Sequence, residues 1–275
     1  MRVISSGVLA LAVVAAGPAR ADDAGARVRA DARAGKPLVV HVVVALCDNV
    51  HQGIVPVPPH LGRGDDPGGN LYWGARYGVR GYLDRAAGWK RVSLENQPAP
   101  GVLERAVYSA QLKGARAYLV AEAWDGSRIR DAIARFLEMA AGRQPETLRV
   151  AGEAVAAGGQ SHVVAFIGHN GLMDFEAPRV DAGPPTPARA AIVLACASRP
   201  YFADLLQRAG ASPLVLTTGL MAPEAYALEA AVRAWLEGGD AAAARTAAAD
   251  AYDRYQKCGR RAARRLFAAP AGPGS

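Results

Sequence analysis

Five short runs of this chain are apolar almost from end to end: PLVVHVVVAL (37–46), ARAYLVAEAW (115–124), VVAFI (163–167), AIVLA (191–195) and PLVLT (213–217). A strand with one face in water alternates apolar and polar residues, whereas a strand covered on both faces does not. Between these runs the apolar period changes to that of a helix, as in Ile129, Ile133, Phe136 and Leu137 within 128–141. Tyr201 to Ala209 reads as a further helix closing at Gly210. From Pro223 a helix runs through Trp235, and after Gly238-Gly239 an Ala-rich helix continues to about Phe267. Buried strands separated by helices predict an α/β fold, a three-layer α/β/α sandwich with a mostly parallel sheet. No internal repeat or linker divides residues 22–275, so a single domain with an Arg-rich C-terminal helix is expected.

The first 21 residues read differently. In MRVISSGVLALAVVAAGPARADD, Arg2 precedes an apolar stretch from Val8 to Ala16, and Ala19-Arg20-Ala21 is a small-x-small cleavage pattern. A secretory signal peptide cut after Ala21, and a periplasmic or secreted mature chain, follow from that pattern. No later segment is long and apolar enough to predict a transmembrane helix. Loss of Arg2 and Arg20 lowers the net charge from +7 to +5. The surplus collects in KCGRRAARRLF (257–267), which reads as a solvated helix face with scope for weak contact with anionic surfaces. Aromatic residues are not interleaved with these cations, so nucleic acid is not an expected partner.

Three cysteines are an odd number for an oxidising compartment. One disulfide, Cys47 with Cys258, fits the count and would leave Cys196 a free thiol. Cys196 ends the fourth apolar run, and His169 stands just beyond the third in VVAFIGHNG. Sites in open parallel sheets form outside the carboxyl ends of the strands, so neighbouring strands would project both side chains over one edge. That arrangement suits a thiol nucleophile with an imidazole as general base and acid, and the Gly171 amide could serve a developing oxyanion. Asn170-Gly171 and Ala197-Ser198 are small or polar and leave room for a ligand. The competing reading is structural: a buried free thiol and a hydrogen-bonded strand-end histidine. The loop CDNVHQGIVPVPPHLGRGDDPGGN (47–70) is long for a connection, which favours a substrate-facing role, and Asn70 is placed to cap a helix beginning at Leu71. His51, His60, Asp65 and Asp66 fit no common metal template, so neither a metal nor a cofactor is expected.

A strand ending in GHNG followed by a strand ending in LACAS, histidine before cysteine, resembles the caspase-like cysteine peptidases, the group of legumains, caspases, gingipains, separases and CHAT peptidases. The likeness is nearest to the legumain and CHAT types. There LVLTTGLMAPEAYAL (214–228) resembles the segment after the nucleophile strand, with Glu224 and Tyr226 as counterparts of a Glu and a Tyr. ALCDNVHQG (45–53) and NLYWGARYG (70–78) are placed like the first strand end, active-site loop and first helix of the legumain group. This chain departs from the pattern by inserting Asn170 between His169 and the glycine, and by a short His–Cys interval.

The resemblance implies an endopeptidase acting on a peptide or protein substrate. In it Cys196 attacks the carbonyl, His169 protonates the leaving amine, and the Gly171 and Cys196 amides hold the oxyanion. It also implies that Asp48, Asn49 and Glu224 line the pocket for the residue before the scissile bond, although turn chemistry accounts equally for Asp48 and Asn49 and a helix N-terminus for Glu224. The departures favour an alternative, a catalytically inactive caspase-like module that binds a peptide or protein through the same cleft. An α/β hydrolase is disfavoured because the chain has no G-x-S-x-G elbow.

Overall fold

The computed structural model describes residues 21–181, 183–184 and 186–269, so the expected leader lies outside the described residues apart from Ala21. Nine strands and seven helices occur among the described residues. Strand β1 (Leu38–Ala45), the most apolar run, is buried along its whole length and lies near the middle of a seven-stranded sheet. The sheet order is β2-β3-β4-β1-β7-β8-β9, where β2 is Lys90–Ala99, β3 Val102–Leu112, β4 Ala115–Trp124, β7 Val163–Ile167, β8 Ala190–Leu194 and β9 Ser212–Val215. β4, β1, β7, β8 and β9 run parallel, and β2 and β3 add an antiparallel meander beyond β4.

Alternation along β1 separates the two covering layers. Val40, Val42 and Val44 pack into a core shared with α1 (Ala21–Arg33), α5 (Ala225–Leu236), α6 (Ala241–Gln256) and α7 (Arg260–Leu266). Val43 and Ala45 point the other way, onto α3 (Ile129–Ala140) and α4 (Ser198–Ala209). The expected α/β sandwich with a mostly parallel sheet is therefore present. No helix among the described residues is long and apolar enough to cross a membrane.

Several elements depart from the sequence reading. β2 and β3 are additional strands, and so is the hairpin β5 (Pro145–Val150) and β6 (Glu153–Gly158), which turns at Ala151-Gly152 with both φ angles positive. The expected C-terminal helix is two helices, broken where Lys257 and Gly259 take positive φ. In α7 the arginines are exposed while Ala263 and Phe267 are buried, and Arg264 pairs with Asp250 at 3.6 Å. The helix expected at Leu71 is a series of turns. Asn70 Oδ1 accepts from Tyr72 N at 3.1 Å, and the next helix, α2 (Val79–Leu83), begins eight residues later than expected. All three thiols are free: Cys47 is buried at the end of β1, and Cys258 is exposed in the turn between α6 and α7.

Candidate active site

The register decides which strand ends stand side by side; among the described residues Cys196 Sγ makes its hydrogen bonds to Met221, and none joins it to His169. Ile167 of β7 pairs with Leu194 of β8, so His169 and Cys196 each lie two residues beyond the ends of adjacent parallel strands. Such strands run about 4.8 Å apart. Gly168 N donates to Leu194 O at 3.3 Å, carrying the pairing one step beyond the strand.

His169 is buried and its Nε2 lies 2.6 Å from Asp174 Oδ2, which fixes Nε2 as the protonated nitrogen of the neutral ring. Nδ1 has no hydrogen-bond partner among the described residues and is the nitrogen left for proton transfer. Asp174 Oδ2 also accepts from Gly53 N at 3.2 Å, so the loop after β1 braces the carboxylate. Sequence reasoning missed Asp174. The available signal was an acid five residues after the histidine, within reach only because Gly171–Met173 forms a 3-10 turn.

Asn170, the residue between His169 and Gly171, is fully buried and joins the two strand ends. Its Nδ2 donates to Cys196 O at 2.8 Å, and its Oδ1 accepts from Leu172 N at 3.2 Å. The Gly171 amide, expected to serve an oxyanion, instead donates to His169 O at 3.0 Å, because Asn170 shifts the glycine into the turn. A Cβ at Gly171 would lie 2.6 Å from the Phe175 ring.

Cys196 occupies a strand–turn–helix elbow. Ala197 follows in the left-handed region (φ 44°, ψ 42°), unusual for a residue with a Cβ, and α4 starts at Ser198. The elbow is closed onto the segment after β9: Ala197 N donates to Gly219 O, Ser198 N to Thr217 Oγ1 and Arg199 N to Thr217 O. Ser198 Oγ bonds Val193 O and Thr217 as well, so Ser198 is buried and structural in this conformation. With those amides engaged, the Cys196 amide is the remaining backbone donor of the elbow. Cys196 Sγ is half-buried against Met221, within 3.5 Å of its carbonyl oxygen and 3.4 Å of its nitrogen.

On the same flank, burial together with neighbouring Cys47, Cys196 and Glu224 holds the Tyr72 phenol well above its ordinary range. Burial likewise pushes the Cys47 thiol up to about 11, leaving it an unreactive thiol at neutral pH. Glu224 accepts from Tyr226 Oη at 2.6 Å and Gln256 Nε2 at 2.9 Å. Asp48 and Asn49 are engaged in the loop itself. Asp48 caps the Val50 and His51 amides and holds the His51 ring at 2.8 Å, while Asn49 exchanges two hydrogen bonds with Val57.

His51 is thus tied to Asp48, and Asp65 and Asp66 face Arg63, so that group does not converge on a metal. Among the described residues, one trio, His41, Glu122 and Glu146, brings three potential ligand atoms within 4.8 Å. Two guanidiniums already occupy its carboxylates: Arg105 lies 2.7 Å from Glu122 and Arg135 lies 2.6 Å from Glu146. Burial alone would raise Glu122, but His41 and Arg105 outweigh it and hold the carboxyl well below the usual range. The trio is a buried ion network on the α3 face, held on β1, β4 and β5 rather than at the ends of β7 and β8 that carry His169 and Cys196. No family model, curated protein or solved structure matches this chain.

Proposed function

We propose that this chain is an exported, caspase-like cysteine endopeptidase whose catalytic pair is His169 and Cys196. One observation carries the reading: the pair stands in register at the carboxyl ends of neighbouring parallel strands, with the imidazole oriented by Asp174. With the Nε2 proton held by Asp174, Nδ1 accepts the Cys196 thiol proton as sulfur attacks the scissile carbonyl. The amide of Cys196 faces the developing oxyanion. His169 then returns the proton to the leaving amine, and water hydrolyses the thioester with His169 as base.

The test is profiling of cleavage in a peptide library together with labelling by a thiol-reactive peptide probe. Cys196→Ala and His169→Ala should abolish cleavage, and Cys196→Ala should abolish labelling, while Cys47→Ala and Cys258→Ala leave both intact. Equal labelling of all three cysteines, independent of His169, would overturn the proposal.

A specific observation also favours the second reading, a binding module without turnover. The Gly171 amide is engaged by His169 O, and Sγ rests on Met221. Peptide binding unaffected by Cys196→Ser, with no turnover by the wild-type protein, would select it.

A further inference from the structure

Two flanks meet at the catalytic pair. Sγ faces Met221, whereas the His169 ring faces Asp174 on the side covered by α4. Beyond Asp174 a groove of about 620 Å³ runs between the turn after His169 and the length of α4 from Pro200 to Arg208. Met173 and Tyr201 expose apolar surface to it. Asp174, Glu176 and Asp204 line it against a single cation, Arg208. Neither Glu176 nor Asp204 has an ion-pair partner among the described residues. This acidic groove interrupts a chain whose net charge is +7.

The geometry points to this groove as the subsite for the leaving-group half of a peptide substrate, selecting a lysine or arginine just after the scissile bond. The inference rests on the cysteine-peptidase reading and extends it. A proton passes from His169 to the leaving amine, so the chain beyond that amine lies on the histidine side of the pair, where the groove opens. A long basic side chain matches its composition: an aliphatic stem against Met173 and Tyr201, and a cation near Glu176 and Asp204. Both carboxylates are exposed, so the attraction is the modest, salt-screened kind.

Two readouts test this. Sequencing the new N-termini released by the wild-type protein from a peptide library should show lysine and arginine enriched within the first two positions after the cut. The double variant Glu176→Lys/Asp204→Lys should lose that enrichment and favour Asp or Glu. Independently of turnover, fluorescence anisotropy with Cys196→Ala should show labelled Lys-containing peptides binding about tenfold more tightly than their Glu-containing counterparts. That ratio should shrink in high salt and reverse in the charge-reversed background. Cys196-dependent cleavage with no basic preference, or a Lys/Glu binding ratio unchanged by the charge reversal, overturns the subsite. Absence of Cys196-dependent cleavage refutes the peptidase reading instead, and the binding ratio then decides the groove alone.

Discussion

Asn170 is the side chain through which the two halves of the candidate site hold each other. Asn170→Ala deletes the donor to Cys196 O and the acceptor for Leu172 N in a position with no solvent exposure. Each buried group left without a partner costs about 1–3 kcal/mol. Both together predict a loss of about 2–4 kcal/mol, because the carbonyl retains a second lone pair for relaxation. In a protein of this size each kcal/mol lowers Tm by about 2–4 °C, so a drop on the order of 5–15 °C is expected by thermal denaturation. Asn170→Asp is the sharper probe. It keeps an acceptor for Leu172 N and places a second acceptor against the Cys196 carbonyl. If the bond to Cys196 aligns the nucleophile, Asn170→Asp should lower kcat by about 10²-fold with KM little changed, since misplacement of about 1 Å has that cost. The alkylation rate of Cys196 at neutral pH should change in parallel. An Asn170→Asp variant with kcat within twofold of wild type would refute the alignment role and leave Asn170 a plain turn cap.

Asp174→Asn should reduce kcat by about 10²–10⁴-fold by letting the imidazole adopt the wrong tautomer, while Tm stays nearly constant because the carboxylate is 38% exposed. Unchanged kcat would remove Asp174 from the site. Ala197→Gly relieves left-handed strain of about 1 kcal/mol and adds a comparable unfolded-state entropy cost, so urea unfolding should find it neutral to within about 1 kcal/mol. Ala203→Gly, inside α4, should cost about 1 kcal/mol, and an Ala197→Gly that is the costlier of the two would contradict the strain. His162 is lowered to about 4, by burial first and then by Arg27, against about 6.5 in the unfolded chain. A depressed histidine contributes stability above the unfolded value and loses it as pH falls from about 6.5 to 4, roughly 3 kcal/mol in total. His162→Gln should flatten that segment of the stability–pH curve, and an unaltered slope would assign it to other groups.

The parallel part of the sheet was legible because its strands are covered on both faces, so their sequences are apolar without interruption. β3 was not, because near its start it carries Glu104 and Arg105, which the fold buries. Glu104 takes the Trp73 indole at 2.6 Å and Arg80 at 2.9 Å, and Arg105 takes Glu122 across the β3–β4 pair. A charged pair inside a strand resembles a solvated loop until its partners, 17 to 31 residues away, are known. The β5–β6 hairpin was hidden for a simpler reason, since its exposed face leaves few apolar residues to mark a period. His169 and Cys196 were readable as a pair from their equivalent positions at strand ends. Asp174 and the clamping role of Asn170 depend on a 3-10 turn that no periodicity announces.

The placement of Asn170 bears on whether the site is a working one. A residue without a role at these strand ends could lie at the surface or bulge from the turn. Here it is fully buried, both of its polar ends are paired, and one of them holds the backbone of the candidate nucleophile. The Gly171 amide in the same turn is engaged by His169 O, so an oxyanion at this site would rely on the Cys196 amide alone among the donors expected for it. Removal of one oxyanion donor costs about 10²–10³ in kcat in an enzyme that uses two. If the proposed peptidase reading holds, the enzyme should be a slow one with a well-oriented nucleophile. Burst kinetics with a peptide ester would expose it: acylation of Cys196 should be stoichiometric and turnover slow. An absence of any burst, with Cys196 accessible to alkylation, would count for the binding module.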